Sequence, residues 1–380
     1  MTAKKRFIIF LVIPFLLIAF TYFYFYEIKG LGDSNPKFTK IEKEKIAKLE
    51  KVLKKANSKY YFNGCVLIAM NNKIIIDKCY GTADFEKKDT LTINSIFQLA
   101  SISKQFTAMG IMILKENGKL NYDDKVQKFI PNFPYEKITV RHLLNHTSGL
   151  PNYLWLVDRF WDLSEPPYND DAIRILNSEN QYLNFEPGKR FQYSNTGYVL
   201  LASIIEKVSK MRFGDFLDKN IFEPLGMENT FVYSTVFKDN ENKKMIPGYR
   251  HYSRGYNKFP KTKFDGIVGD KGIYSTTGDL YKWDQALYDD KIVNNQTLME
   301  SFQNGKLNNG KKVKYGFGFR IKQDNFGNRI IYHNGLWEGF RNSIVRNIKD
   351  KTTIIILEHT NCRYKYRLLR EIEYIVNGNL

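Results

Sequence analysis

Ser101 and Lys104 stand three residues apart in the stretch Phe97-Gln98-Leu99-Ala100-Ser101-Ile102-Ser103-Lys104-Gln105-Phe106. If Ser101 opens a helix, Lys104 lies one turn on and on the same face, so its amine reaches the hydroxyl. That sets a nucleophile beside a base. A serine hydroxyl is a weak nucleophile at neutral pH, and a lysine accepts its proton only if burial or nearby positive charge draws down the amine's own pKa. The competing reading is plain capping. Serine is favoured at helix starts because its oxygen takes up free N–H groups, and Ser-x-x-Lys recurs by chance. Other residues have to decide.

Three further stretches carry candidate chemistry. Tyr193-Ser194-Asn195 follows the turn Glu186-Pro187-Gly188 and leads into an apolar helix from Val199 to Val208. It could equally be a buried tyrosine capping that helix. His333-Asn334-Gly335-Leu336 ends a strand, where glycine allows a close approach to the backbone. A simple turn leaving the strand explains it as well. Leu143-Leu144-Asn145-His146-Thr147-Ser148-Gly149-Leu150-Pro151 tempts a Ser-His reading through His146.

The elements that must position these residues follow from patterning. Phe106, Met109 and Ile113, with Ala108 and Met112, give the Ser101 helix a buried side, and Asn117-Gly118 ends it. Cys65 to Met70, Asn71-Asn72, then Lys73 to Lys78 reads as strand, turn, strand. Strands return at Tyr315–Ile321, Arg329–His333, Ser343–Val345 and Thr352–Leu357, and Tyr364–Val376 has helical periodicity. The predicted fold is therefore α/β (α+β): an antiparallel sheet formed by both chain ends and flanked by helices, with an inserted helical lobe over roughly 101–265. The site should lie between sheet and lobe.

Taken together, Ser101-Ile102-Ser103-Lys104, Tyr193-Ser194-Asn195 and His333-Asn334-Gly335 resemble the three ordered elements of the serine β-lactamase and penicillin-binding-protein-like family. The closer resemblance is to its branch of class C β-lactamases, D-Ala-D-Ala carboxypeptidases and esterases. Supporting stretches are Leu143 to Pro151, Glu186 to Asn195, Pro224 to Thr230 and Gly272 to Thr276, the last leading to Asp279-Leu280-Tyr281-Lys282-Trp283, and the resemblance implies that the first is a packing loop in which His146 is structural. The resemblance implies acyl transfer. Ser101 would attack, and Lys104 and Tyr193 would share its proton, with the choice of acylation base left open. Asn195 would hold Lys104 or the substrate amide. The backbone N–H groups of Ser101 and Leu336 would bind the oxyanion, and Asn334 and Gly335 complete the substrate-binding strand. His333, where many β-lactamases have lysine, would bind a substrate carboxylate when protonated or relay a proton to Tyr193. That departure points toward D,D-peptidase-like or esterase-like activity, with β-lactamase activity as an option. A second reading is a slowly turning-over sensor or cell-wall-binding protein that keeps the pocket.

Bulk properties fit a large globular enzyme. The chain has 380 residues, 43% of them hydrophobic and 15% aromatic, ample for a core. Its net charge of +18 is scattered, without a basic recognition helix, so no nucleic-acid partner is expected. No metal and no cofactor are implied. The expected partner is a small-molecule or peptide substrate, with peptidoglycan-derived material as one source. Three cysteines, Cys65, Cys79 and Cys362, are too few for a disulfide framework. Cys65 and Cys79 sit on the two arms of the predicted hairpin, and the expectation is that they are not joined.

Lys4-Lys5-Arg6 precedes an apolar and aromatic run over 7–26, long enough to cross a bilayer as a helix. The charges favour a cytoplasmic N-terminus, so residues 1–26 are expected to be a retained single-pass anchor in the lipid bilayer. A signal peptide is the competing reading. Residues 27–39 read as a linker, and 40–380 as the hydrolase domain, placed outside the cytoplasm.

Overall fold

The computed structural model describes residues 38–179, 181–237, 240, 242–252 and 255–378. The apolar run at 7–26 and most of the 27–39 linker lie outside the described residues. Among those described, no helix is long and apolar enough to cross a membrane. Among the described residues, those up to Glu44 form a unit separate from the rest. In it Thr39 and Glu42 satisfy each other's backbone N–H groups at 3.2 and 2.7 Å, a capping box that starts helix α1 (Lys40–Tyr60).

The larger unit is built on a six-stranded antiparallel sheet. Its strands are β1 (Gly64–Met70), β2 (Lys73–Tyr80), β3 (Arg320–Gln323), β4 (Arg329–Trp337), β5 (Phe340–Asn347) and β6 (Thr352–Glu358). Their spatial order is β3-β4-β5-β6-β1-β2, so the two chain ends pair through β6 and β1. Asn71 and Asn72 both take positive φ, 51° and 60°, the conformation that two-residue hairpin turns require. Beyond that turn a β-bulge between Ile68 and Ala69 shifts the β1–β2 register by one, and it is this shift that places Cys65 directly opposite Cys79. The two cysteines are joined in a disulfide with Cα atoms 4.0 Å apart. This corrects the expectation of unpaired thiols: the register that decides the pairing is fixed by the whole hairpin, not by cysteine count.

Helices cover both faces. α4 (Thr277–Ala286) packs on β1 and β6, where Asp284 meets the guanidinium of buried Arg346 and accepts from Thr353 at 2.7 Å. α5 (Lys365–Asn377) lies on the other face. There Lys365 donates to Ser343 Oγ at 2.5 Å and Asn342 O at 3.0 Å. Ser343 and Arg346 are three residues apart on one strand, hence on opposite faces. The lobe contains α2 (Ser103–Glu116) and α3 (Asn195–Ser209), packed against each other with Phe106, Met109 and Ile205 buried. It is less purely helical than expected: short strands at Phe97–Gln98, Phe231–Val232 and Ile273–Ser275 form a small sheet, and Tyr249–Tyr252 pairs with Gly255–Lys258.

The stretch Tyr315–Ile321 is also corrected, since only Arg320–Gln323 forms a strand. Gly318, at φ +79°, lies against the α2 backbone, where a Cβ would come within 2.7 Å of Lys104 O. The chain tucks under the helix before it joins the sheet. This brings Tyr315 beside the candidate residues.

Candidate active site

Ser101 sits in a 3₁₀ turn, Ala100–Ile102, immediately before α2. The capping residue of α2 is Ile102, which offers no side-chain hydrogen bond, so Ser101 is not the cap of this helix. Ala100 precedes it at φ +51°, a left-handed conformation that costs energy in a residue with a Cβ. Gly335 of β4 explains how the turn is held. A Cβ there would fall 2.1 Å from Leu99 O, so only glycine lets the strand press against the turn. The sequence reading assigned this glycine to ligand approach; its structural work is strand against nucleophile turn. The contact sets β4 against the turn that carries Ser101, the packing on which an oxyanion pocket from the Ser101 and Leu336 N–H groups would depend.

Lys104 is fully buried, with Nζ 3.1 Å from Ser101 Oγ and donating to Asp270 O at 2.8 Å. The same amine lies 5.1 Å from the ring centroid of Tyr193 and 5.5 Å from that of Tyr198. Tyr193 and Asn195 arrive from the other side of the lobe, on the entry to α3. Ser194 caps that helix by accepting from Gly197 N–H at 3.3 Å, leaving the residues on either side free to face the site. The hydroxyl of Tyr193 and the side-chain oxygen of Asn195 are buried without partners among the described residues. Buried polar atoms are seldom left so, and here both belong to the constellation.

The Leu143–Pro151 loop positions Tyr193. His146 O accepts from Gln192 N–H at 2.9 Å, and His146 Nδ1 accepts from Ser194 N–H at 3.1 Å. The imidazole packs on Tyr193 at 4.3 Å between centroids, and on Tyr315 at the same separation. Burial, with Lys104, His333 and Arg320 nearby, holds it well below the ordinary histidine range. It is a neutral wall of the site, in keeping with the packing role read from its loop.

His333 departs from expectation. It is 1% exposed, its Nδ1–H donates to Asn334 O at 2.7 Å, and its Nε2 accepts from the Tyr315 hydroxyl at 2.9 Å. Burial, Lys104 and Arg320 push the imidazolium well below its usual range. A neutral ring with both nitrogens engaged cannot offer a cation to a carboxylate. Its hydrogen-bond partner is Tyr315, not Tyr193, so a direct relay to Tyr193 is corrected as well.

Asn334 is the second correction. It pairs across from Ser343, whose hydroxyl donates to its side-chain oxygen, on the sheet face covered by α5. His333 pairs with Ile344 on the opposite face, toward the lobe. Side-chain alternation therefore sends Asn334 away from Ser101. β3 pairs with β4 only over Arg329–Tyr332, so residues 333–337 keep an unpaired edge on that side.

Arg320 was not read from the sequence. Its guanidinium lies 4.9 Å from the Tyr193 ring centroid, and among the described residues no carboxylate pairs with it. No local motif marks it; it reaches the site because β3 pairs with β4 beside His333. Asp270 was also missed: its carbonyl holds Lys104, and its carboxylate accepts from buried Tyr153 at 3.2 Å. Among the described residues no group of three or more His, Cys, Asp or Glu could hold a metal ion.

Comparison with known proteins agrees with this arrangement. A family model for β-lactamases matches residues 49–372. Penicillin-binding protein 4* of Bacillus subtilis is 38% identical over 349 residues, spanning 87% of this chain and 76% of that protein. The octameric penicillin-binding protein homologue from Pyrococcus abyssi superposes with a TM-score of 0.72 at 28% identity, covering 87% of this chain and 80% of that one. The D-amino acid amidase of Ochrobactrum anthropi, at 20% identity, shares the fold with a TM-score of 0.75 over 88% of this chain and 99% of its own. With Ser-x-x-Lys, Tyr-x-Asn and the His-x-Gly strand brought to one place, this chain belongs to the β-lactamase and penicillin-binding-protein family of serine hydrolases.

Proposed function

We propose that the chain is a membrane-anchored, extracytoplasmic serine hydrolase that forms an acyl-enzyme on Ser101, with a peptide, amide or ester of cell-envelope type as substrate. The observation that carries the reading is Lys104 Nζ, buried and 3.1 Å from Ser101 Oγ. In the proposed reaction, proton transfer from Ser101 to Lys104 or Tyr193 accompanies attack on the carbonyl carbon. The N–H groups of Ser101 and Leu336 take the developing oxyanion. Collapse expels the amine or alcohol, protonated from the same site, and water then repeats the sequence on the ester.

Arg320 takes the role first given to His333. An arginine stays charged at every relevant pH, and its planar fork suits a carboxylate. Its place beside Tyr193 supports recognition of a substrate carboxylate. For location, Lys4-Lys5-Arg6 before the apolar run supports an anchor with the body outside. The Cys65–Cys79 disulfide supports an oxidising compartment. Digestion of the body by protease added to spheroplasts is the expected result, and protection would contradict that placement.

Activity is tested with a labelled penicillin and an amino-acid p-nitroanilide. The hydrolase reading expects an adduct on Ser101 that is released, and turnover that vanishes in Ser101→Ala. A stable adduct without turnover would leave the sensor reading in its place.

A further inference from the structure

From Lys45 onward, helix α1 lies beside α5 and runs in the opposite direction. At one end Lys45 donates to Val376 O at 2.7 Å, and at the other the rings of Tyr60 and Tyr364 stack at 3.9 Å between centroids. Between these contacts a groove of about 560 Å³ opens on the surface, lined by Val52 of α1 and by Arg367, Arg370, Glu371, Tyr374 and Ile375 of α5. Val52 and Ile375 are half-buried. Tyr374 is 68% exposed, and the exposed ring of Phe326, from the β3–β4 turn, stands 6.2 Å from its own. An apolar floor in an open groove meets water unless something covers it.

The rims of the groove are cationic. Lys48 and Lys55 stand four residues before and three after Val52, hence on its side of α1, and both are exposed. On α5, exposed Arg370 stands one turn before Tyr374. The carboxylates carried by these two helices are already engaged: Glu371 with Arg367 at 2.9 Å, Glu373 with Lys322 at 2.7 Å, and Glu50 with Lys78. Among the described residues no carboxylate pairs with Lys48, Lys55 or Arg370, so the rims keep their positive charge. An apolar floor between cationic rims fits an amphiphile with an anionic head and a hydrocarbon chain. A free phosphate would leave the floor uncovered.

We infer that the groove between α1 and α5 is a docking face for anionic phospholipid of the membrane in which the chain is anchored. Lipid phosphates meet Lys48, Lys55 and Arg370, and the upper acyl chains cover Val52, Tyr374 and Ile375. The inference rests on the anchor proposed above and adds to it the side of the body that faces the bilayer. Connectivity supports the pairing. Lys45, where the chain enters the larger unit, is bonded to Val376, the neighbour of Ile375 in the groove, and only the segment 27–44 separates it from the apolar run. So short a tether keeps the local concentration of lipid high at this end of the groove.

The test is covalent footprinting of the full chain in nanodiscs, with acetic anhydride for lysines and phenylglyoxal for arginines, read residue by residue in a mass spectrometer. The discs hold either phosphatidylcholine alone or an equal mixture with phosphatidylglycerol. The expected result is labelling of Lys48, Lys55 and Arg370 slowed roughly threefold or more by phosphatidylglycerol, with exposed Lys119 and Lys312 unchanged. Tyr374→Ser should remove most of the slowing at Arg370, and Arg370→Glu most of that at Lys55, with thermal melts showing that each variant folds. Equal labelling in the two discs, or slowing that neither variant changes, would overturn the docking face. Equal slowing at Lys119 and Lys312 would also overturn it, by reducing the effect to the chain's general positive charge. The same slowing by inorganic phosphate without lipid would do so too, by leaving the apolar floor without a role. A chain that stays out of phosphatidylcholine discs would count against the anchor alone, because the same labelling against vesicles of the two compositions still decides the groove.

Discussion

The Ser101–Lys104 turn and the His333–Leu336 strand are the two halves of the site, and they differ in what sets them. In the first, a three-residue spacing in a helical start brings amine to hydroxyl, and the structure holds them 3.1 Å apart. In the second, neighbouring residues go to opposite faces: His333 turns to Tyr315 in the lobe, and Asn334 to Ser343 under α5. A helical motif carries its geometry within itself. A strand motif takes its meaning from register and from whatever packs on each face.

The largest effect is expected where geometry is local. Lys104→Arg keeps a cation but cannot surrender a proton, so acylation of Ser101 by a labelled penicillin should fall by roughly 10²–10⁴-fold while the thermal melt shows a folded protein. Near-normal acylation would reduce Lys104 to a packing role and erase the contrast.

The next effect sharpens the strand half. Arg320→Ala should weaken acylation by a carboxylated substrate roughly tenfold or more relative to its methyl ester, as loss of a charge-assisted contact implies. His333 makes the opposite prediction. Because burial, Lys104 and Arg320 keep its imidazole neutral, acid and ester should give parallel acylation profiles from pH 5 to 9. A carboxylate preference that fades as pH rises through the ordinary histidine range would restore His333 as the cation.

The smallest effect concerns the far face of β4. Burial pushes Lys365 down to about 7 in the folded chain, against 10.5 as its ordinary value. Between those two values the unfolded chain binds the extra proton, so this lysine's contribution to stability rises with pH across that window and is flat below it. Glu358, about 7 in the fold, titrates at the lower edge and opposes the trend as pH rises toward 7. Urea unfolding at pH 7.5 and 9 should show a gain for the parent that Lys365→Met lacks. An equal gain in both would remove Lys365 as its source.

How far the sequence could be read follows the same division. The strand–turn–strand at Cys65–Lys78, the buried side of α2 and the return of strands near the C-terminus were legible because alternation and helical period are local signals. The Tyr315–Phe319 stretch was misread as strand because its aromatic residues pack on separate neighbours, Tyr315 on His146, Phe317 on Tyr122 and Phe319 on Phe302, while Gly318 at positive φ lies against the α2 backbone. Arg320 and Asp270 were invisible for one shared reason. Each acquires its partner across more than a hundred residues or across a strand pairing, and no spacing along the chain records that. The Cys65–Cys79 bridge was not within reach, since the two-residue turn at Asn71-Asn72 alone would set Cys65 opposite Lys78, and the β-bulge at Ile68 and Ala69 that brings Cys79 there has no local signal.

The central claim is that Ser101 is the nucleophile, activated by the buried Lys104. Full-length protein treated with a fluorophosphonate and digested for mass spectrometry should carry the adduct on the peptide containing Ser101. Lys104→Arg should slow its formation, and Ser101→Ala should abolish it. An adduct on any other residue, or labelling at an unchanged rate in Lys104→Arg, would contradict the account.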